Sequence, residues 1–238
     1  MNYIGVVIAE LLAGIFQGIT GFGAGIISMM ALPLMFPVTE AAGIAGAICL
    51  ALTISMVIKY RKHINFKMAL VPGVVYTVMS AVAIHFAADL NQGLMKKLLG
   101  GFLFLLAIYY LFIKKNQSSK LSAPVGFIFS AVSGACDGLF SIGSPLMVLY
   151  FLGQTDDKEE YLGSIQFMFM ICLIYNLFAR IKNGILVPSH LPVILIGIAC
   201  IVAGLFIANR IVDKINVEKL KKISYVGIAI AGMINLFS

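Results

Sequence analysis

The sequence predicts an all-α polytopic membrane protein of about eight transmembrane segments, built as two duplicated four-segment halves, the first segment of each broken by a Gly/Pro-rich pivot. Three observations carry that prediction. The 238-residue chain is 61% apolar and 11% charged, with mean hydropathy +1.03, far below the quarter of charged residues usual in soluble domains. Residues 14–36, GIFQGITGFGAGIISMMALPLMF, are apolar enough for a bilayer yet carry glycine at 14, 18, 21, 23 and 25 and proline at 33. Glycine costs about 1 kcal/mol relative to alanine inside a helix. Irregular backbone at membrane depth is tolerated only where protein or a water-filled cavity covers it, so the stretch reads as a broken helix lining a site. Finally, the pattern recurs. A shift of 120 residues sets Gly14, Gly18, Gly23 and Gly43 on Gly134, Gly138, Gly143 and Gly163, and Lys62 and Pro72 on Lys182 and Pro192. The predicted domains are a first repeat over 1–115, a linker over 116–120 and a second repeat over 121–238.

Segment one covers 3–36. As one continuous helix its 34 residues would measure roughly 50 Å against a hydrocarbon core of about 30 Å, so it must bend, cross obliquely or re-enter. Segment two, 41–60, ends in the basic cluster Lys59, Arg61, Lys62 and Lys67, with His63 among them. Segment three covers 66–88 and leads into a loop with Asp89, Lys96 and Lys97; segment four covers 98–113. The second half repeats the order: segment five, 121–152, carries the break SGACDGLFSIGSP, and an acidic loop at 156–160 precedes segment six, 161–179. Segment seven spans 187–208 and a short segment eight 223–237, which snorkelling lysines would help to extend.

If each broken segment crosses once, Lys59, Arg61, Lys62, Lys67, Lys114, Lys115, Lys120, Arg180 and Lys182 share one side. Lys96, Lys97, Lys158, Arg210, Lys214, Lys219, Lys221 and Lys222 share the other. Nine against eight barely discriminates by the positive-inside rule. The reading adopted is single crossings, both termini inside and parallel halves, with the acidic positions 40 and 156–160 together outside. If each broken segment instead crosses twice, the halves are inverted.

The net charge of +7 comes from residues placed between helices, which argues for loop charges that set topology rather than for nucleic-acid binding. No basic n-region precedes the first apolar segment, so no detachable signal peptide is expected. Cys49, Cys136, Cys172 and Cys200 are scattered through apolar spans without metal-ligand spacing, so no metal, cofactor or disulfide framework is expected. The oligomeric state is open, a homodimer included.

The candidate site lies at the breaks. Ser144-Pro145 reads as the cap and first residue of a half-helix over 145–152, and by the offset a second half-helix starts near Gly25. Helix N-termini with free N–H groups are ready anion sites, and glycine permits close approach to the backbone. The same glycines, in Gly14-xxx-Gly18, Gly21-xxx-Gly25 and Gly134-xxx-Gly138, also fit small-residue helix packing. Asp137 is the acid deep inside an apolar segment and Gln17 its repeat mate, and an intramembrane acid is a functional candidate. The substrate-binding candidates are Gln17, Thr20, Gly21, Gly23, Gly25, Asp137, Gly138, Ser141, Gly143, Ser144 and Gln166. Asp137 is also the proton-coupling candidate, because a neutral acid can share a site with an anion and its proton can travel with the solute. Asn176 and Arg180 share a helical face with Gln166 within about an 80° arc; that face turns inward, and Arg180 reads equally well as an interfacial anchor. Glu10, Thr53, Tyr76 and His85 are further polar positions suited to interhelical contacts.

GITGFGAGIISMMALPL in the first half and DGLFSIGSPLMVLYFL in the second resemble the paired signatures of the TauE/SafE sulfite exporter family, also called the 4-toluene sulfonate uptake permease family. The resemblance extends over nearly the whole chain. It implies a permease of the prokaryotic inner membrane that moves small sulfur-containing anions such as sulfite, sulfonates or sulfoacetate. Asp137, Ser141, Ser144 and Leu146 stand where that second signature has Gly, Gly, Gly and Pro, which adds hydroxyls and a carboxylate to the pivot and loosens the expectation of sulfite itself. No nucleotide-binding G-x-x-x-x-G-K-[ST] is present, so a secondary transporter is expected. The alternatives are an anion channel or a transporter of another small organic anion. An intramembrane enzyme is disfavoured, since Ser141 and His85 lack a G-x-S-x-G context and Asp137 stands without a second aspartate.

Overall fold

The computed structural model describes residues 3–87, 90–109, 121–211, 226, 229–230, 232–235 and 237. Among them all regular structure is helical. The first broken segment is α1 (Ile4–Thr20) followed by α2 (Ala24–Ala31), which runs into a short 3-10 turn at Leu32–Leu34. Then come α3 (Val38–Tyr60), α4 (Phe66–Ala87) and α5 (Gln92–Ile108). The second broken segment is α6 (Ala123–Phe140) followed by α7 (Ser144–Leu152), and α8 (Lys158–Lys182) and α9 (Leu191–Ile211) complete the described bundle. The predicted linker and about half of segment eight (223–225, 227–228, 231 and 236) lie outside the described residues.

Among the described residues five stretches are long and apolar enough to cross a membrane: Val38–His63, Phe66–Ala87, Ala123–Phe140, Lys158–Lys182 and Pro188–Ile211. Their outer faces carry exposed Val71, Val74, Phe178, Leu195 and Phe206, the apolar exterior a bilayer requires. Segment boundaries follow local chemistry. α5 begins six residues before the predicted start, because Asn91 caps it by accepting from the Gly93 N–H at 2.7 Å; Lys96 and Lys97 are helical rather than loop residues. α8 begins three residues early, capped by Asp157, whose Oδ1 accepts from the N–H groups of Glu159 (2.7 Å) and Glu160 (2.9 Å).

α3 and α8 form the enclosed centre, packed through Ile44, Ile48 and Leu52 on one and Ile165, Met168 and Cys172 on the other. α1 packs along α9, and α6 along α4. Gly14 and Gly204 make the first crossing possible: a Cβ on Gly204 would meet the Gly14 Cα at 3.0 Å and the Ile15 nitrogen at 2.9 Å. At the second crossing Gly134 faces the Tyr76 backbone and Gly138 the Ser80 backbone.

Contacts at the helix ends fix direction and correct the parallel reading. His63, just past α3, lies against Glu159 at the start of α8, while Thr39, at the start of α3, accepts from Arg180 near the end of α8. The two central helices are therefore antiparallel. Phe66 and Ser80 of α4 meet Phe167 and Asn176 of α8 in the same order; Glu40 and Lys59 of α3 meet His190 and Asn209 beside α9 in the same order. Thus α1, α3 and α9 run one way and α4, α6 and α8 the other.

Each broken segment is a hairpin, not a crossing. Ser28 of α2 donates to Glu10 of α1 at 2.9 Å across 18 residues, a span that would measure about 27 Å in a straight helix. Gly5 at the start of α1 faces Met35 beyond α2. Gln154, after α7, donates to the carbonyl of Leu121, before α6, at 2.9 Å. The single-crossing topology is overturned, and positions 40 and 156–160 lie at opposite ends.

Candidate functional site

The two hairpin tips turn by left-handed residues at matching places. α1 ends at Gly21 (φ 83°), whose N–H donates to the Gln17 carbonyl at 2.7 Å, and Gly23 (φ 98°) caps α2. α6 ends at Ser141 (φ 53°), whose N–H donates to the Asp137 carbonyl at 2.7 Å, and Gly143 caps α7. Ser144 is therefore the first helical residue of α7, not its cap. Among the described residues Ser141 is the one non-glycine at positive φ, a conformation costing on the order of 1 kcal/mol for a residue with a Cβ. Its hydroxyl offsets that cost by donating to the Ala42 carbonyl at 2.6 Å and receiving Arg180 Nη2 at 3.4 Å.

The tips touch. A Cβ on Gly25 would collide with the Ser141 carbonyl oxygen, and one on Gly46 of α3 would lie 3.1 Å from the Ser141 hydroxyl. Between them is a cavity of about 40 Å³ lined by Gln17, Phe22, Gly23, Gly25, Gly46, Cys49, Thr53, Tyr76, Asp137, Ser141, Gly143, Ser144, Phe169 and Leu173. The starts of α2 and α7 both border it. It has room for a few water-sized groups. Gln17 spans its own hairpin: Oε1 accepts from the Ala24 N–H at 3.0 Å, closing one of the free donors of α2.

Seven of the eleven sequence-selected residues line this cavity: Gln17, Gly23, Gly25, Asp137, Ser141, Gly143 and Ser144. The other four do not. The Thr20 hydroxyl turns back to the carbonyls of Phe16 and Phe22, both at 2.8 Å. Gly21 faces Leu162, and Gly138 packs on Ser80. Gln166 supports the tip from behind, donating from Nε2 to the Gly21 carbonyl at 2.9 Å. Cys49 and Gly46, on the face that α3 turns to the tips, were not selected; a cysteine and a glycine in an apolar run look like packing residues.

Asp137 is buried in a polar cluster that joins three helices. Its Oδ2 accepts from Asn176 Nδ2 at 2.8 Å and lies 3.7 Å from the Cys172 thiol. The Tyr76 hydroxyl is a further partner, and Asn176 also accepts from Ser80 at 3.0 Å. Arg180, only 1% exposed, places Nη2 2.8 Å from the Gly138 carbonyl and 3.2 Å from that of Asp137. A cation at the last carbonyls of α6 complements the helix dipole and sits beside the Asp137 carboxyl. Arg180 is thus a buried cap, not an interfacial anchor. These donors, with a cation close by, hold the Asp137 carboxyl in place at the end of α6. Asp137 is also not the lone intramembrane acid, since Glu10 is fully buried in α1. Among the described residues no group of three His, Cys, Asp or Glu is placed to hold a metal ion.

Compared with known proteins, residues 6–234 match the family described as Sulfite exporter TauE/SafE. No curated protein and no solved structure matches the chain.

Proposed function

Because the chain belongs to the sulfite exporter TauE/SafE family, we propose that it is a secondary transporter that carries small sulfur-containing anions across a prokaryotic inner membrane, with the cavity between the hairpin tips as the substrate site. The observation that carries this reading is the meeting of two helix starts, each capped by glycine, at one cavity. First-turn N–H groups of α2 and α7 supply donors and positive dipole ends to an oxyanion. Ser144 and Thr53 add hydroxyls, while those of Ser141 and Tyr76 are engaged by the Ala42 carbonyl and the Asp137 carboxyl, and the charge of Arg180 stands behind Ser141. A cavity of about 40 Å³ favours the smallest of these anions, of the size of sulfite, over aromatic sulfonates.

The halves 1–115 and 121–238, joined by 116–120, are an inverted pair in this reading. Each contributes one hairpin from its own side of the bilayer, and substrate movement follows from rocking one hairpin-bearing unit against the other. Net transport is coupled to protons. Among the described residues, Lys59, Arg61, Lys62, Lys67, Lys158 and Arg210 gather at the His63 end, against Lys96, Lys97, Arg180 and Lys182 at the Glu40 end. The positive-inside rule therefore turns the His63 end to the cytoplasm.

The test is uptake and binding by purified protein in proteoliposomes across sulfite, thiosulfate, alkanesulfonates, sulfoacetate and an arenesulfonate. Saturable uptake of at least one small sulfur anion, with the arenesulfonate weakest, is expected. Uptake of none of them sinks the proposal, and currents beyond carrier turnover would make the protein a channel.

A further inference from the structure

We propose that Glu10 is the proton-binding group of this transporter, connected to the substrate cavity through Ser28 and Cys49. This rests on the transport reading above, but the geometry stands outside the anion cavity. Glu10 is fully buried on α1. Its Oε2 accepts from the Ser28 hydroxyl of α2 at 2.9 Å, and its Oε1 has no hydrogen-bond partner among the described residues. The other described elements packed around it are poor in charge: α3 presents Cys49 and Ile48, and α9 presents Gly197 and Cys200. The two ion pairs found among the described residues, His63 with Glu159 and His190 with Glu40, leave Glu10 out.

The contrast with Asp137 decides which acid titrates. Asp137 has several donors and the Arg180 charge beside it; Glu10 has one donor and no cation. A neutral carboxyl at Glu10 leaves one hydroxyl unmatched, a penalty of roughly 1–3 kcal/mol. An ionised one leaves a nearly unpaired charge at membrane depth, which costs more. A bound alkali cation in place of the proton would need a cage of oxygens, and among the described residues Ser28 is the one side chain hydrogen-bonded to Glu10.

A path to the solute is already laid. Ser28 is hydrogen-bonded to Glu10 and neighbours the Cys49 thiol, and Cys49 lines the cavity. With the hydroxyls turned outward, the carboxyl proton passes to Ser28 Oγ, the Ser28 proton to Cys49 Sγ, and the thiol proton to the oxyanion in the cavity. Glu10 is left ionised, Ser28 and Cys49 return to neutral, and the anion gains the proton. Occupancy of the cavity and protonation of Glu10 are thereby linked.

Two measurements on the full-length protein in proteoliposomes decide it. In infrared pH titrations without solute, the carbonyl band of a protonated carboxylic acid should bleach as pH rises. It should vanish in Glu10→Gln, persist in Asp137→Asn, and shift its midpoint in Ser28→Ala. An unchanged band in Glu10→Gln, or no titrating band at all, overturns the assignment. In transport, a pH gradient should drive accumulation of an alkanesulfonate, which does not itself titrate near neutral pH. Glu10→Gln should lose accumulation and keep solute-for-solute exchange; accumulation equal to the parent's overturns the assignment while leaving the transport reading intact. A parent that moves no sulfur anion overturns the transport reading, and the infrared titration still decides Glu10.

Discussion

The His63 Nε2 lies 3.0 Å from the Glu159 Oε2, so the exit of α3 and the entry of α8 share one end of the bundle. The pair is exposed and adds little stability. Its value is topological, because it is reinforced by Asn65, whose N–H donates to Ser164 at 2.8 Å and whose side-chain nitrogen donates to Glu160 at 2.7 Å. In a variant lacking the four native cysteines, single cysteines at Lys62 and Asp157 should react with an impermeant thiol reagent from the same face. A cysteine at Asn183 should react from the opposite one. Labelling of 62 and 157 from opposite faces would remove the hairpin topology.

Much of the fold is legible in the sequence because hydropathy reports helices and glycine reports breaks. Starts and stops of α3, α4 and α9 fall within a few residues of the apolar runs. Direction was not legible: nine basic residues against eight offer no bias, and hydropathy does not distinguish a bent crossing from a hairpin. The chemistry that settles it, Ser28 on Glu10 and Gln154 on the Leu121 carbonyl, joins residues whose meeting depends on the turn already being made. The cavity was legible as far as the glycines and Ser144-Pro145 mark it. Arg180 was ambiguous because a basic residue near a helix end reads as an anchor, whereas its role depends on the end of α6 arriving beside it.

The contact between the tips predicts a graded glycine series. Gly25→Ala drives a methyl group into the Ser141 carbonyl and should destabilise the protein by about 1–3 kcal/mol, as overpacking does, with loss of transport. Gly143→Val meets the Tyr76 ring and the Ser133 carbonyl and should also abolish uptake. Gly101, in α5, has no atom of the described residues within 4 Å of an added Cβ, so Gly101→Ala should leave uptake intact and raise stability by about 0.5–1 kcal/mol. Uptake and thermal unfolding in detergent read both; wild-type behaviour of Gly25→Ala would mean that the tips separate freely.

Arg180 should tolerate little. Arg180→Met leaves the α6 carbonyls without their donor and the Asp137 carboxylate without its nearby cation, a loss of about 3–5 kcal/mol on the scale of an unpaired buried charge. Arg180→Lys keeps charge but not the fork that reaches two carbonyls and Ser141, and should fall between. Pairing Arg180→Met with Asp137→Asn should cost less than the two single losses added, because the partners share one cluster. Strict additivity in thermal unfolding would show that they act separately.

The α8 cap gives a pH effect of defined sign. The N–H groups of Glu159 and Glu160 hold the exposed Asp157 carboxyl below the usual carboxylate range. A group lowered on folding stabilises fully above its ordinary pKa, and that stability is lost as pH falls through the lowered value. Asp157→Ala should therefore reduce thermal stability at neutral pH, with the difference from the parent narrowing on acidification below about pH 4. A difference that is constant with pH would assign the effect to backbone propensity rather than to the charged cap.

Asp137→Asn separates anchoring from coupling. The substitution keeps the shape and one acceptor, so contact with Asn176 or Tyr76 survives, but it removes the charge beside Arg180. An extra uncompensated positive charge is then left behind Ser141, next to the cavity. Anion binding should tighten or slow its release, and the solute concentration giving half-maximal uptake should change. The ability of a pH gradient to drive accumulation should remain, because the proton sits on Glu10. The decisive readout is accumulation in a stepped pH gradient, measured beside solute affinity in the same vesicles. If Asp137→Asn binds the anion as the parent does but no longer accumulates it, Asp137 carries the proton and Glu10 does not.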